Sequence, residues 1–316
     1  MSEEQLHQLL GFILEKELGI PATKAASFAG HFAEVEEFLR LKAENLTNVR
    51  SIFGKRAIKF NDDEIERILV FIASGKLAPQ LTIAENFLAS ICRDFTRRQL
   101  TMLQNLTLEK INPNPFLIRA LNLETPEEVV RLNVFMSATR SIVTSMGFFI
   151  QKLLISCSES AASPPGKSGW DVIKTTSDGD RCWIQVKSGP NDMDKDQIVY
   201  WAVKIQEKFN EGDRACIGIA YGKRTNQTVT IGLLKQLLPN WQITTLIGRE
   251  LWDFVSEDPE YTANLFEILR QSANQVLAQS SIYDAIEVAA QRLINEFIRK
   301  YGNGSQGVSN YIKDIF

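Results

Sequence analysis

The 316-residue sequence predicts a mixed α/β core, a sheet flanked by helices, with a helical region before it and further helices after it. Three observations carry that expectation. The first hundred residues repeat apolar side chains at helical spacing with short connections. Residues 170–188 hold two short alternating runs joined by an Asp-Gly turn, the pattern of a hairpin. After residue 196, a helical segment, the buried-strand run ACIGIAY and a strand-like stretch at 243–248 follow in succession. The expected division is a helical region 1–112, a core 113–255 and C-terminal helices 256–316.

Residues 3–16 place Leu6, Leu9, Leu10, Ile13 and Leu14 on one helical face, and Gly19 with Pro21 ends the pattern. Residues 22–42 read as a second helix through Phe28, Phe32, Val35, Phe38 and Leu39. Residues 62–74 form an amphipathic helix with Asn61 or Asp62 as cap, and residues 84–106 are helical again. Two basic clusters fall here: Arg50, Lys55, Arg56 and Lys59, and then Arg93, Arg97 and Arg98. Each suits phosphate contact, although a solvated helix face balanced by acids is the commoner reason for such a run. Residues 111–118 (INPNPFLI) break the helical pattern. Thr125-Pro126-Glu127-Glu128 starts another helix, and residues 137–156 read as one long helix. Residues 159–169 (ESAASPPGKSG) read as a surface loop.

The hairpin is the part with chemistry. Its first strand is expected at 170–173, its turn at 177–180 and its second strand at 181–188. Side chains alternate along a strand, so Cys182, Ile184 and Val186 face a core while Arg181, Trp183, Gln185 and Lys187 share the opposite face. Gln185 and Lys187 then stand side by side facing Asp171. That set suits phosphodiester hydrolysis. A carboxylate such as Asp171 can hold Mg²⁺, which needs only one or two protein carboxylates with waters completing its shell. The ion polarises the phosphate, and Lys187 can stabilise the developing charge or orient the attacking water. Gln185 offers only a neutral carbonyl oxygen. A salt bridge between neighbouring strands is the plain alternative for Asp171 and Lys187. The Trp before Asp171 and the apolar alternate face weigh against it.

Asp171, thirteen residues and then Gln185-Val186-Lys187 resemble the PD-(D/E)xK nuclease signature, with Gln185 standing where the second acid is usual. The loop KSGPNDMDKDQ after Lys187 resembles that of a group of type II restriction endonucleases, as do NPNPFLIRALNL, TPEEVVRL and IGRELWDFVSEDPE. The resemblance implies a restriction-endonuclease-like core and Mg²⁺-dependent cleavage of double-stranded DNA at a short specific sequence. It implies Asp171 and the backbone carbonyl of Val186 as metal ligands, Lys187 at the nucleophile and Gln185 in support. Gln151 stands where related nucleases carry a Glu, and Gln197, beside Tyr200 and Trp201, where a helix-start Gln joins the site. Either amide is also readable as an ordinary helix-surface residue. A homodimer and a companion DNA methyltransferase are further implications. Asn191 and Lys195 read as DNA-facing or as structural caps, with Asp192, Asp194 and Asp196 undecided in the same way, and Lys223 and Arg224 form a basic loop available to DNA.

The C-terminal half continues with a helix at 196–210, the strand 215–221 and a further strand expected at 228–233. A strand-like stretch at 243–248, a helix from Arg249 and mostly helical residues 262–300 follow. Tyr283, Ile286, Ala289, Leu293 and Phe297 mark an apolar stripe on the last of these, and residues 302–307 form a turn before a short tail.

Composition bounds the rest. Net charge of -3 and a pI near 5.7 carry no global nucleic-acid signal, but phosphate affinity depends on where the basic residues lie. Four scattered cysteines and two histidines argue against a zinc site or a disulfide framework and for a reducing cytoplasm, with Cys182 and Cys216 as core residues. No apolar run approaches the length of a membrane span. A cleavage-silent DNA-binding protein on the same fold and a structure-specific repair nuclease are the two alternatives to a restriction enzyme.

Overall fold

The computed structural model describes residues 3–47, 49–50, 57–78, 81–166, 168–238 and 240–316. Lys55 and Arg56, from the first basic cluster, lie outside these. Helix α1 (Glu3–Phe12) continues into a π-helical turn (Ile13–Glu17) and is followed by α2 (Ala22–Ala29), α3 (Val35–Leu39) and α4 (Ala43–Leu46). A two-stranded antiparallel ribbon, β1 (Val49–Arg50) with β2 (Ala57–Ile58), precedes α5 (Asp62–Ala73) and α6 (Ile83–Gln104). Then come α7 (Leu108–Ile111), α8 (Pro115–Ala120) and the long α9 (Pro126–Ser156). The sheet strands are β3 (Ala161–Ala162), β4 (Val172–Thr175), β5 (Arg181–Lys187), β6 (Arg214–Ile219) and β7 (Thr245–Ile247). Helix α10 (Lys195–Asn210) joins β5 to β6, and α11 (Val229–Leu237) and α12 (Trp241–Thr244) join β6 to β7. Helices α13 (Arg249–Ser256), α14 (Tyr261–Leu277), α15 (Ile282–Tyr301) and α16 (Gly304–Ile315) complete the chain.

The fold class is the expected one. The sheet runs β3-β4-β5-β6-β7, antiparallel from β3 to β5 and parallel from β5 to β7. A hairpin turn suffices for an antiparallel pair, whereas the parallel β5–β6 pair needs a crossover, supplied here by α10. The chain forms two compact units, residues 1–94 with 147–272 and residues 95–146 with 273–316.

The first unit contains the whole five-stranded sheet. One sheet face buries Val172, Cys182, Ile184, Val186 and Cys216 with Leu153, Leu154, Leu251 and Trp252. The other buries Trp170, Trp183, Ile217 and Ile219 with Ile198, Trp201 and Ile205 of α10. The N-terminal helices of this unit build a third core around Leu9, Leu10, Phe28 and Phe38. The second unit packs Val129, Val130, Val134 and Ala138 of α9 against Ile286, Ala290, Leu293 and Phe297 of α15.

Local signals explain most boundaries. Asn61 caps α5 in a box with Glu64, each side chain accepting the other residue's backbone N–H. Pro126 opens α9, as its fixed φ and missing N–H suit the first turn. Five expectations need correction. The helix read over 22–42 is two, because the chain turns at Gly30 and Glu34 is extended, starting α3 with its own box through Glu37. The loop read over 159–169 contains β3, an edge strand pairing Ala161 with Lys174. The strand expected at 228–233 is α11, capped by the Thr228 side chain on the Ile231 N–H, so its β-branched residues were misleading. The stretch 243–248 divides between α12 and β7. Tyr283 is exposed while the rest of its stripe is buried.

Candidate active site

The β4–β5 hairpin positions the first two side chains. Its ladder pairs Val172 with Ile184 and Thr175 with Arg181, and the Asp171 N–H continues it by donating to the Ile184 carbonyl at 3.1 Å. Asp171 therefore stands opposite Gln185. The turn closes through Thr176 N–H to the Asp180 carbonyl at 2.9 Å, with Gly179 at φ 87°, a region an L side chain rarely adopts.

Asp171 is half-buried, and one oxygen, Oδ2, takes two donors. The Gln185 Nε2 donates at 2.6 Å and the Val186 N–H at 2.8 Å. Burial raises its pKa above the ordinary carboxylate range, opposed in part by the Val186 N–H and by the charge of Lys187. The Gln185 Oε1 is buried and has no hydrogen-bond partner among the described residues. A buried oxygen in that state is costly unless something else meets it. Gln151, on α9, donates through Nε2 to the backbone carbonyl of Asp171 at 2.8 Å. It thus holds the residue that carries the carboxylate.

Lys187 ends β5 and donates to the Gln197 side-chain oxygen at 3.2 Å. Gln197 lies in the first turn of α10, and its N–H is capped by Asp194 at 2.8 Å. Asp192 accepts from the Ser188 hydroxyl and from the Gly189 N–H, the latter at 2.7 Å. Two of the three acids left undecided by the sequence, Asp192 and Asp194, are thus a loop clamp and a helix cap. Asn191 and Lys195 are exposed in and after that loop, and Lys223 is exposed at the end of the sheet. Arg224 bonds Glu250 at 2.7 Å and the carbonyls of Gln242 and Thr245 at 3.0 and 2.5 Å, and it lies over the Trp241 ring. Of the second basic cluster, Arg93 is fully buried in an ion pair with Glu17 at 2.8 Å, which removes it from the surface.

One part of the strand reading is corrected. The face carrying Trp183, Gln185 and Lys187 is not open along its length, because α10 covers it. Trp183 is buried beneath Lys208 at 3.9 Å and donates to Asp213 at 2.8 Å, and Trp201 packs edge-on to Trp170 at 4.9 Å. Lys187 emerges at one end of the strand and Arg181 at the other. Sequence reasoning missed Asp213, whose carboxylate also takes Arg181 at 3.1 Å. Its place just before a buried strand was the available signal.

A family model for the type II restriction endonuclease EcoO109I matches residues 83–276, more than half of the chain. The chain belongs to that family. The matched span runs from α6 into α14 and includes every strand of the five-stranded sheet. Asp171, Gln185, Lys187, Gln151 and Gln197 all fall inside it, as do the exposed Asn191, Lys195 and Lys223. A search of curated proteins returns no match. Membership of the EcoO109I family supports a type II restriction endonuclease, an enzyme class that acts on DNA. Among the described residues no helix is long and apolar enough to cross a membrane.

Proposed function

We propose that this chain is a cytoplasmic, Mg²⁺-dependent endonuclease that hydrolyses phosphodiester bonds of double-stranded DNA at a short specific sequence. The single observation that carries the reading is the convergence of Asp171, Gln185 and Lys187 at the end of β5, with Lys187 tethered to Gln197. The donor set fits Mg²⁺. A half-buried carboxylate with a raised pKa and an orphaned amide oxygen on Gln185 are both relieved by a hard cation. Among the described residues no three His, Cys, Asp or Glu side chains converge, so the ion would keep much of its water.

Asp171, the Gln185 oxygen and the Val186 carbonyl would hold the ion, which when bound supplies Lewis acidity at the phosphate. Lys187 stabilises the charge that develops on the phosphate oxygens and orients the attacking water. Gln197 fixes the Lys187 ammonium, and Gln151 fixes the backbone of Asp171. Asn191, Lys195 and Lys223 are exposed and would meet DNA. Arg224 donates through Nε and Nη2 within the fold and would hold the Lys223 loop. A two-fold homodimer reads a palindrome most simply, with the helices of 1–112 and 256–316 as its proposed source, and a DNA methyltransferase would protect the host.

Purified protein incubated with unmethylated phage DNA, with and without Mg²⁺ and beside Lys187→Ala, tests the reading. Discrete bands that require Mg²⁺ and vanish in the variant are expected. The pairing of a lone carboxylate with amides at 151 and 185 favours a second reading, a DNA-binding protein without cleavage. Intact DNA at every Mg²⁺ and Mn²⁺ concentration, with a retained gel shift, would select it.

A further inference from the structure

The parallel register of β5 and β6 carries the site face one step further than the residues named so far. Lys187 pairs with Ile219, the last pair of the ladder, and the Ala220 N–H still donates to the Lys187 carbonyl at 2.9 Å, so continuing the register two residues on brings Gly189 opposite Tyr221. Alternation along β6 sends Cys216 and Ala220 to one face and Ile217 and Ile219 to the face of Trp183. Tyr221 therefore follows on the face that bears Gln185 and Lys187.

Its side chain lies over Gly189. A Cβ placed on Gly189 would fall 2.6 Å from the Tyr221 hydroxyl oxygen and 2.8 Å from Cε1 and Cζ. Gly189 is buried beneath a ring that is itself 64% exposed. The glycine has no positive φ to explain it. What it provides is room for the phenol. The loop under the ring is fixed, since Asp192 holds the Gly189 N–H and the Thr228 hydroxyl holds the Pro190 carbonyl at 3.2 Å. Among the described residues the Tyr221 hydroxyl has no hydrogen-bond partner, and Lys223 is exposed two residues on. A large aromatic supported from below, with a free donor and an exposed lysine two residues on in the same loop, suits a polar, anionic ligand.

Gly189 is two residues along from Lys187, roughly 7 Å of strand. That is comparable to the step between neighbouring phosphates on one DNA strand. We propose that Tyr221 contacts the substrate, its hydroxyl donating to a backbone phosphate next to the one at Lys187, with Gly189 as the bare platform that lets the ring lie there. This rests on the nuclease reading above.

The experiment uses the full chain and four variants: Tyr221→Phe, Tyr221→Ala, Gly189→Ala and the double Gly189→Ala/Tyr221→Ala. Steady-state cleavage of a duplex carrying a site mapped from phage DNA gives KM and kcat, and binding to the same duplex is followed with Ca²⁺ in place of Mg²⁺. Loss of a hydrogen bond to a charged oxygen should raise KM about tenfold in Tyr221→Phe, with kcat nearly unchanged. Gly189→Ala should raise KM by displacing the ring, and that effect should vanish in the Tyr221→Ala background. Unfolding midpoints should match wild type for Tyr221→Phe. Wild-type KM in both Tyr221 variants, or a Gly189→Ala effect that persists without the ring, overturns the proposal while leaving the nuclease reading intact. A wild-type protein that neither binds nor cuts DNA overturns both.

Discussion

The Gln185 amide nitrogen donates to Asp171 Oδ2 at 2.6 Å while the oxygen of the same amide stays buried with no partner among the described residues. An amide in that position neutralises nothing, yet it satisfies the carboxylate in the absence of a metal. Replacing it with an acid removes the donor and sets a second negative charge against Asp171. Gln185→Glu should lower the unfolding midpoint in EDTA and recover it with Mg²⁺. The Mg²⁺ concentration for half-maximal cleavage should fall by about tenfold, since ligand charge tunes affinity for the ion. A Mg²⁺ titration of cleavage that superimposes on wild type would exclude Gln185 from the metal shell.

Asp171 gives the site a pH dependence of known sign. Burial raises its pKa above the ordinary aspartate value, against the opposing pull of the Val186 N–H and the Lys187 charge. The stability it contributes is fully present below the unfolded value and is lost as pH rises through the folded one. Cleavage needs the ionised form and should therefore rise with pH through the same raised value at low Mg²⁺. Asp171→Asn should abolish cleavage and flatten this part of the EDTA stability profile. An activity inflection at or below the ordinary aspartate pKa would contradict the assignment.

Gln197 is expected to act through Lys187. Removing a preorganised charge stabiliser costs about 10²–10³ in rate, so Lys187→Ala should lose nearly all cleavage. Gln197→Ala leaves the ammonium in place but untethered, and kcat should fall about tenfold with DNA affinity kept. Parallel gel shifts and single-turnover rates separate the two. An equal loss of binding in Gln197→Ala would make it a DNA contact instead.

The Arg93–Glu17 pair predicts a stability effect with no DNA effect. Both side chains are essentially inaccessible. Glu17→Ala removes from the core the carboxylate that the buried Arg93 guanidinium donates to and should destabilise by about 3–5 kcal/mol. Replacing both residues with apolar ones of similar volume should be much milder. Urea unfolding of the three proteins checks this, and a single variant within error of wild type would refute it.

The sequence showed most where a local rule acted alone. Asn61 as a cap, Pro126 at a helix start and the Asp-Gly turn at 178–179 each depend on a few adjacent residues. The register of Asp171 against Gln185 also followed from the hairpin. What stayed hidden depended on distant chain. Trp170, Trp183 and Trp201 meet only because α10 folds back over β5, so the face read as polar is apolar for most of its length. Arg93 read as a surface cation because Glu17, 76 residues earlier, cannot be paired with it by eye. The helix at 229–237 was masked by β-branched residues and disclosed only by its Thr228 cap.

Strand β5 is the third of five, with a neighbour on each side and a hydrophobic layer on each face. Its amides should consequently be among the slowest to exchange with deuterium, while the edge strands β3 and β7 open earlier and more often. Local breathing would then reach the rim of the sheet long before it disturbed Gln185 or Lys187. On warming, strand β5 and the global fold should be lost together, so residual activity would report the fraction of molecules still folded.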